Sequence, residues 1–159
     1  MAEQKTNVMR QLDRAKIAYS THEYPHGDSA VDGVTVAGLI GKDSACVFKT
    51  LVARGSDQAI YVFVIPVAKE LDLKAAARAV GAKSVAMVHV SEINTLTGYI
   101  RGGCSPVGMK KQYKTVIDDS ALDQETMVVS AGRIGHQIDL APADLIRLTR
   151  GKTADIIKS

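Results

Sequence analysis

Apolar side chains recur along this chain with two different spacings. In several segments they return every three or four residues, which places them on one face of a helix. Asp32 or Ser29 precedes one such segment and Asp72 precedes another, and both residue types cap helices by accepting backbone N–H groups. The pattern predicts a helix that runs from the Asp32 or Ser29 cap to Leu39 and is ended by Gly41. It also predicts helices over residues 4–16, 73–81, 91–96 and 142–150.

Other segments are β-branched and apolar at consecutive positions, a pattern typical of buried strands. Residues 46–53 and 59–65 flank the turn sequence RGSDQ, so they predict a hairpin. Further strands are predicted over residues 19–24, 84–89, 115–118, 127–130 and 137–140. Helices at both ends with strands between them predict one α+β domain over residues 1–159, with a mixed, partly barrel-like central sheet flanked by helices.

Composition narrows the possible functions. Aromatic residues make up only 4% of the 159 residues and Trp is absent, so the chain has few rings on which a general single-strand nucleic-acid binder stacks bases. The net charge of +3 comes without a basic run and permits contact with phosphates without requiring it. The first ten residues hold no apolar signal core, and no apolar run reaches the roughly 20 residues of a membrane span. We expect a cytoplasmic protein with free thiols.

Residues 97–111 contain four glycines and a proline between two apolar segments. Such a stretch predicts a shaped loop whose backbone N–H groups can converge on an anion or an ester oxygen. A tight connection between two strands is the alternative interpretation. Gly103 and Gly108 have the separation of a P-loop, but Met109 stands at the lysine position and Pro106 stiffens the segment. The pattern therefore excludes a nucleoside triphosphatase.

The histidines do not have the arrangement of a metal site. His22 and His26 are four residues apart, but Pro25 between them breaks the helix that would align them. His89 and His136 stand alone, as satisfied core or surface histidines do. We expect no metal ion and no cofactor.

Neither cysteine has metal-ligand spacing, and each has a structural interpretation. Cys104 lies inside the glycine-rich loop, so a thiol nucleophile with His136 as its base is one hypothesis. Nothing near it in sequence supports that chemistry, and a small buried thiol that fills space is the interpretation we favour. Cys46, in a predicted apolar strand, is expected to be structural.

Lys49 interrupts the apolar sequence CVFKTLVA. A charge in a buried strand costs stability unless it is paired or reaches a pocket. Two interpretations stay open: a partly exposed edge position, or an ammonium that faces a cavity and holds a phosphate or a developing oxyanion. A turn of small residues at 130–135 can supply a further N–H group or a serine hydroxyl.

Three segments taken together resemble the YbaK/EbsC family, which comprises free-standing relatives of the editing domain inserted in bacterial prolyl-tRNA synthetase. They are FKTL at 48–51, TGYxxGGxSPxG at 97–108 and SAGRxGxQIxLAP at 130–142, and LDLKAAARAVGAK at 71–83 adds to them. The resemblance implies the fold of that editing domain. It also implies an aminoacyl-tRNA deacylase of translation fidelity that removes a mischarged amino acid, most often cysteine or alanine, from tRNA(Pro).

The resemblance further implies residue roles. One departure is Gln137, because some cysteine-specific relatives carry an aspartate there, and Asp139 lies two residues on along the same strand face. The amino acid removed therefore stays open. The implied catalytic residues are Lys49, Gly102 and Gly103, and the implied substrate-binding residues are Tyr24, Thr50, Ser105, Pro106, Ser130, Gly132 and Gln137.

In the cysteine branch of the family, the substrate's own thiol attacks the ester in place of a protein nucleophile, which makes the enzyme a lyase if the thiol cyclises. An alanyl ester would instead need an oriented water. A non-catalytic module that binds a tRNA 3′ end or a synthetase is the alternative, because the chain shows no general base. The resemblance implies aminoacyl-tRNA as a partner and prolyl-tRNA synthetase as a further candidate. We expect no DNA or membrane partner, and weak tRNA contacts at Lys110, Lys111 and Lys114.

Overall fold

Polar side chains start three of the helices by accepting N–H groups of the first turn. In the computed structural model, which describes residues 5–25, 27 and 31–159, Thr6 caps the first helix, Asp32 the second and Asp72 the third. The alternative cap Ser29 lies outside the described residues. The α-helices among the described residues are α1 (Asn7–Arg14), α2 (Gly33–Leu39), α3 (Leu73–Val80), α4 (Val90–Thr97) and α5 (Pro142–Thr149).

The strands form two sheets. The larger sheet has the order β4-β2-β3-β5-β8, with antiparallel pairing of β2 to β3 and β4 and parallel pairing of β5 to β3 and β8. The smaller sheet is antiparallel with the order β1-β7-β6. The described strands are β1 (Tyr19–Glu23), β2 (Phe48–Gly55), β3 (Ile60–Pro66), β4 (Val85–Met87), β5 (Lys114–Asp118), β6 (Met127–Arg133), β7 (His136–Leu140) and β8 (Lys152–Ala154).

The two sheets meet just before β2 begins. Val47 forms a parallel bridge to Val128 of β6, and its carbonyl accepts the Val67 N–H at 2.9 Å. Neither sheet closes into a barrel. The predicted α+β class with a mixed sheet and flanking helices is confirmed, and the junction between the sheets is where a cavity forms.

Strand β3 is apolar at consecutive positions because both of its faces are buried. Val62 and Val64 pack with α1 and the smaller sheet in one cluster. Tyr61, Phe63 and Ile65 point to the other cluster, which α3 covers with Ala76, Ala77 and Val80. Because an apolar layer covers each face of β3, apolar residues are favoured at every position, and the strand does not alternate apolar with polar residues.

Three sequence expectations differ from the structure. The glycine-rich loop joins α4 to β5 and does not connect two strands. The small-residue segment 130–135 is mostly strand, because β6 continues to Arg133 through a bulge at which Gly132 has a φ of +98°. Cys46 lies in a short 3₁₀ turn before β2, where its thiol donates to the Asp43 carbonyl. No helix among the described residues is long and apolar enough to cross a membrane.

Candidate functional site

A cavity of about 130 Å³ lies where the two sheets meet. Its walls come from the end of β1, from α2, from the start of β2, from the glycine-rich loop and from β6 and β7. Apolar and polar side chains both line it, as in small-molecule sites. The lining residues are Tyr24, Val31, Gly33, Val36, Val47, Phe48, Lys49, Thr50, Val67, Gly102, Cys104, Ser130 and Gln137.

A wider groove of about 840 Å³ continues from this cavity. The two share Lys49, Thr50 and Gly102, so they are contiguous. The groove adds Ile100 and Arg101 to its lining, an exposed apolar side chain and a cation from the glycine-rich loop. The Asp32 carboxylate lines the groove as well, so the site combines a narrow pocket with a larger entrance lined by two cations, Lys49 and Arg101, and one carboxylate.

Lys49 is half-buried in the wall shared by the cavity and the groove. It pairs with Ile65 of β3, whereas β4 pairs only with the other end of β2, so this part of the strand has a neighbour on one side. The ammonium makes no hydrogen bond or ion pair with any residue that the structure describes. A local strand edge and a cavity-lining position thus coincide at Lys49, which leaves its charge available to a ligand.

The Thr50 hydroxyl is buried beside Lys49 and has no hydrogen-bond partner within the described part of the chain. Buried polar groups are almost always paired, so an orphaned hydroxyl in a cavity wall indicates a partner supplied by a ligand or water. Consecutive strand residues point to opposite faces, so Lys49 and Thr50 offer a cation and a hydroxyl at two separate positions of the site.

The opposite wall is formed by β6 and β7. Ser130 lies across from Gln137 in the strand register, and both residues are buried. The Ser130 hydroxyl accepts the Gly132 N–H at 3.1 Å, which leaves its own proton free to donate. The Tyr24 N–H donates to the Gly135 carbonyl at 3.1 Å and so ties the end of β1 to the β6–β7 turn.

Of the predicted glycine pair, Gly102 lines the site and Gly103 does not. The Gly103 N–H donates to the Ile100 carbonyl at 3.0 Å, so within the chain it already has an acceptor. A Cβ at Gly103 would lie 3.1 Å from the Ile134 nitrogen, which shows how closely the loop packs on the β6–β7 turn. Gly103 shapes the loop, and the exposed backbone is that of Gly102.

Three other predicted substrate-binding residues also lie outside the cavity lining. Ser105 is fully buried, and its hydroxyl accepts the Val107 N–H at 3.2 Å. Pro106 borders a separate hollow beside Met109. Gly132 borders another hollow at the start of α1. The structure places Ser105, Pro106 and Gly132 in support of the loop and strand that carry the lining residues.

Cys104 lines the cavity, which the sequence analysis did not foresee. Burial raises the pKa of its thiol to about 11, although a hydrogen bond with Thr97 acts in the opposite direction. The thiol is therefore neutral at physiological pH and is a poor nucleophile. The proposed base, His136, lies 3.5 Å from the Glu23 carboxylate on the neighbouring strand.

The α2 wall is the other part of the site that sequence reasoning missed. Val31, Gly33 and Val36 line the cavity from this side. A Cβ at Gly33 would lie 2.6 Å from Val67 Cγ1, so only glycine lets the helix approach this closely. The signal in the sequence was Gly33 directly after the Asp32 cap, a position where a helix gains nothing from glycine.

The three lysines predicted to contact tRNA lie outside both the cavity and the groove. All three are exposed. The stem of Lys110 packs near Gly98, Lys111 borders the hollow at Pro106, and the Lys114 ammonium donates to the Val80 carbonyl at 3.3 Å.

Asp139 is buried on β7 but does not line the cavity. Its Oδ2 atom lies 2.9 Å from His22 Nε2 and 3.1 Å from the Lys42 ammonium. Burial alone would raise the pKa of Asp139, but the side chains of Thr126, His22 and Lys42 together hold that pKa below its usual range. Within the described residues, no cluster of three or more His, Cys, Asp or Glu could hold a metal ion.

The aminoacyl-tRNA editing domain family matches residues 28–148. The curated "Putative Cys-tRNA(Pro)/Cys-tRNA(Cys) deacylase EbsC" of Enterococcus faecalis is 43% identical over 154 residues, which cover 97% of this chain and 94% of that protein.

Two crystal structures share the fold. One is described as "a putative trans-editing enzyme for prolyl tRNA synthetase" and has a TM-score of 0.82 at 23% identity. The superposition covers 98% of this chain and 100% of that one. The other, of a hypothetical protein, has a TM-score of 0.85 at 23% identity, with 96% of this chain and 100% of that one. The resemblance seen in the sequence is confirmed, and the chain belongs to the aminoacyl-tRNA editing domain family of YbaK/EbsC type.

Proposed function

We propose that this protein is a cytoplasmic trans-editing aminoacyl-tRNA deacylase that acts as a single editing domain over residues 1–159. Its substrate is mischarged tRNA(Pro), with cysteine as the first candidate for the amino acid removed. The observation that carries the proposal is that two polar groups of the cavity wall, the Lys49 ammonium and the buried Thr50 hydroxyl, have no partner among the residues that the structure describes. The relationship to a curated Cys-tRNA(Pro)/Cys-tRNA(Cys) deacylase supports the choice of cysteine.

The sizes of the two spaces support this assignment. The cavity of about 130 Å³ suits a small aminoacyl group, and the groove of about 840 Å³ is large enough for the terminal nucleoside. The ester that joins them would lie at the shared wall of Lys49, Thr50 and Gly102. Arg101 in the groove lining would meet the phosphate of the terminal nucleotide.

The chemistry of the lining supports cleavage without a protein base. No His, Asp or Glu is among the residues described as lining the cavity, and the Cys104 thiol stays protonated. The cysteinyl substrate carries its own nucleophile. Its sulfur forms a bond to the ester carbonyl carbon, the carbon–oxygen bond to the ribose breaks, and the ribose oxygen takes up the thiol proton. Lys49 and the N–H of Gly102 would stabilise the oxyanion formed on the way.

An alanyl ester lacks this internal nucleophile, so its hydrolysis would need a water held by Ser130 or Gln137. The neutral Gln137 can orient such a water but cannot accept its proton as a carboxylate can. This makes cysteinyl-tRNA(Pro) the better substrate for these residues. Lys110, Lys111 and Lys114 would contact the tRNA backbone without reading its sequence, so a prolyl-tRNA synthetase partner would select tRNA(Pro).

The decisive experiment measures ester lifetimes of cysteinyl-, alanyl- and seryl-tRNA(Pro) with the wild-type protein and with Lys49→Ala. We expect the cysteinyl ester to be cleaved fastest and Lys49→Ala to lower kcat by about a hundredfold or more. Lys83→Ala, at an exposed lysine outside the site, is the matched control and should keep full activity. Unchanged lifetimes for all three esters would reject the enzyme and leave a module that binds the tRNA 3′ end or a synthetase.

A further inference from the structure

Helix α2 forms one wall of the cavity and buries two of its own side chains, Val36 and Ala37. Ala37 packs on Val47, Val67 and Val128 in a small cluster. The helix spans only Gly33–Leu39. An element with few buried apolar contacts opens more easily than the strands of the core. A polar contact at the end of the helix would therefore add to the packing that fixes this wall.

The residue directly after the turn that ends α2 supplies such a contact. The Lys42 N–H donates to the Ala37 carbonyl at 2.9 Å, which joins Lys42 to the last turn of the helix. Its ammonium lies 3.1 Å from Oδ2 of Asp139, whose side chain is only 6% exposed. Because the carboxylate is buried, this ion pair is screened less than one between exposed side chains.

Asp139 is also held by the neighbouring strand of the smaller sheet. His22 Nε2 on β1 lies 2.9 Å from the same Oδ2 atom, and β7 is the central strand of that sheet. Gln137 lies two residues before Asp139 on the same strand face and lines the cavity opposite α2. The ion pair therefore joins the α2 wall to the strand that carries the facing wall.

We infer that the Lys42–Asp139 ion pair is a positioning pair that holds α2 against the smaller sheet and sets the width of the cavity. Neither residue touches the substrate, and both act through Val36 and Gln137. The effect on the position of α2 does not depend on the proposed function. Its effect on turnover rests on that function, because a wall that moves lets the acyl group leave the geometry needed for attack.

Hydrogen exchange of the amides of α2 in the free protein tests the first effect. We compare wild type with Lys42→Met, Asp139→Asn and the conservative Lys42→Arg. Lys158→Met, which breaks an exposed ion pair with Glu70, is the matched control. We expect exchange over 35–41 to accelerate by about tenfold in Lys42→Met and Asp139→Asn but not in Lys42→Arg or Lys158→Met. Exchange in β2 and β3 should stay at the wild-type rate.

Deacylation kinetics test the second effect. We expect kcat to fall several-fold in Lys42→Met and the double variant to fall no further than Asp139→Asn alone, because Lys42 has already lost its partner in Asp139→Asn. If exchange over α2 in Lys42→Met equals that in Lys158→Met, the pair does not hold the helix and the inference is wrong. If α2 loosens while kcat and KM keep their wild-type values, the positioning role is wrong. A wild-type protein without deacylase activity but with a loosened α2 in Lys42→Met would support the pair and reject the proposed function.

Discussion

Ser130 on β6 lies directly opposite Gln137 on β7, and both line the cavity that Lys49 borders from the larger sheet. The Ser130 hydroxyl accepts the N–H of Gly132 in the bulge, and its own proton remains available to another acceptor. The ester or an attacking water would be that acceptor. Replacement of Ser130 should therefore affect deacylation in a specific way.

Replacing Ser130 with alanine should reduce activity more than stability. Loss of the hydroxyl removes one donor to the ester and should lower kcat by at least about tenfold. The Gly132 N–H also loses its acceptor, which should lower the free energy of unfolding by about 1 kcal/mol. Deacylation rates and urea unfolding check the two effects. Ser56→Ala, in the exposed β2–β3 turn, is the control, and wild-type kcat in Ser130→Ala would remove Ser130 from the site.

The two glycines of α2 should respond in opposite directions to alanine. A Cβ at Gly33 would lie 2.6 Å from Val67 Cγ1, whereas a Cβ at Gly38 would meet nothing within 4 Å. Gly33→Ala should push α2 from Val67 and cost about 1–3 kcal/mol, with a raised KM from the distorted wall. Gly38→Ala should stabilise the helix by up to about 1 kcal/mol. Thermal unfolding and kinetics of both variants provide the check, and equal effects would contradict the close packing at Gly33.

The Cys104 thiol should be dispensable for catalysis. Its pKa is raised to about 11 by burial, so it is neutral and cannot replace the substrate's nucleophile at pH 7. Cys104→Ala should retain kcat within about threefold of wild type, since no covalent step passes through this residue. Loss of all activity with a native melting temperature would instead establish a thiol nucleophile.

The same raised pKa makes a prediction about pH and stability. The unfolded thiol ionises near its ordinary pKa of 9.0, whereas the folded thiol resists ionisation up to about 11. The contribution of this group is therefore fully present below pH 9 and is lost as the pH rises towards 11. Wild type should lose more stability than Cys104→Ala between pH 8 and pH 10.5, measured by urea unfolding. Parallel curves for the two proteins would contradict the raised pKa.

Contacts with the tRNA backbone should depend on salt and on the lysines after the glycine-rich loop. Replacing Lys110 and Lys111 with glutamine should raise KM and leave kcat unchanged. The slope of log(kcat/KM) against log salt concentration should become shallower by the amount expected for about two lost phosphate contacts. The exposed Lys83→Gln is the control for a lost surface charge. An unchanged salt dependence in the double variant would remove these lysines from the tRNA-binding surface and leave Arg101 in the groove as the cation for phosphate.

Several elements were determined by the sequence alone because their signals are local. Helix α3 has its cap at Asp72 and a left-handed glycine at Gly81, so its beginning and end do not depend on distant contacts. The β2–β3 hairpin followed equally from two apolar runs around a turn. The family, and with it the membership of Lys49 and Ser130 in one site, was legible from three short motifs taken together.

Tertiary structure alone decided what depends on contacts between distant segments. Strand β8 exists through parallel pairing with β5, and its three residues carry no strand pattern of their own. Tertiary packing also places Gly103 against the β6–β7 turn and leaves Gly102 in the lining of the site. Likewise, Asp139 shares its strand face with Gln137 yet meets Lys42, because Ala37 of α2 packs on Val128 of the smaller sheet, a contact that no local period encodes.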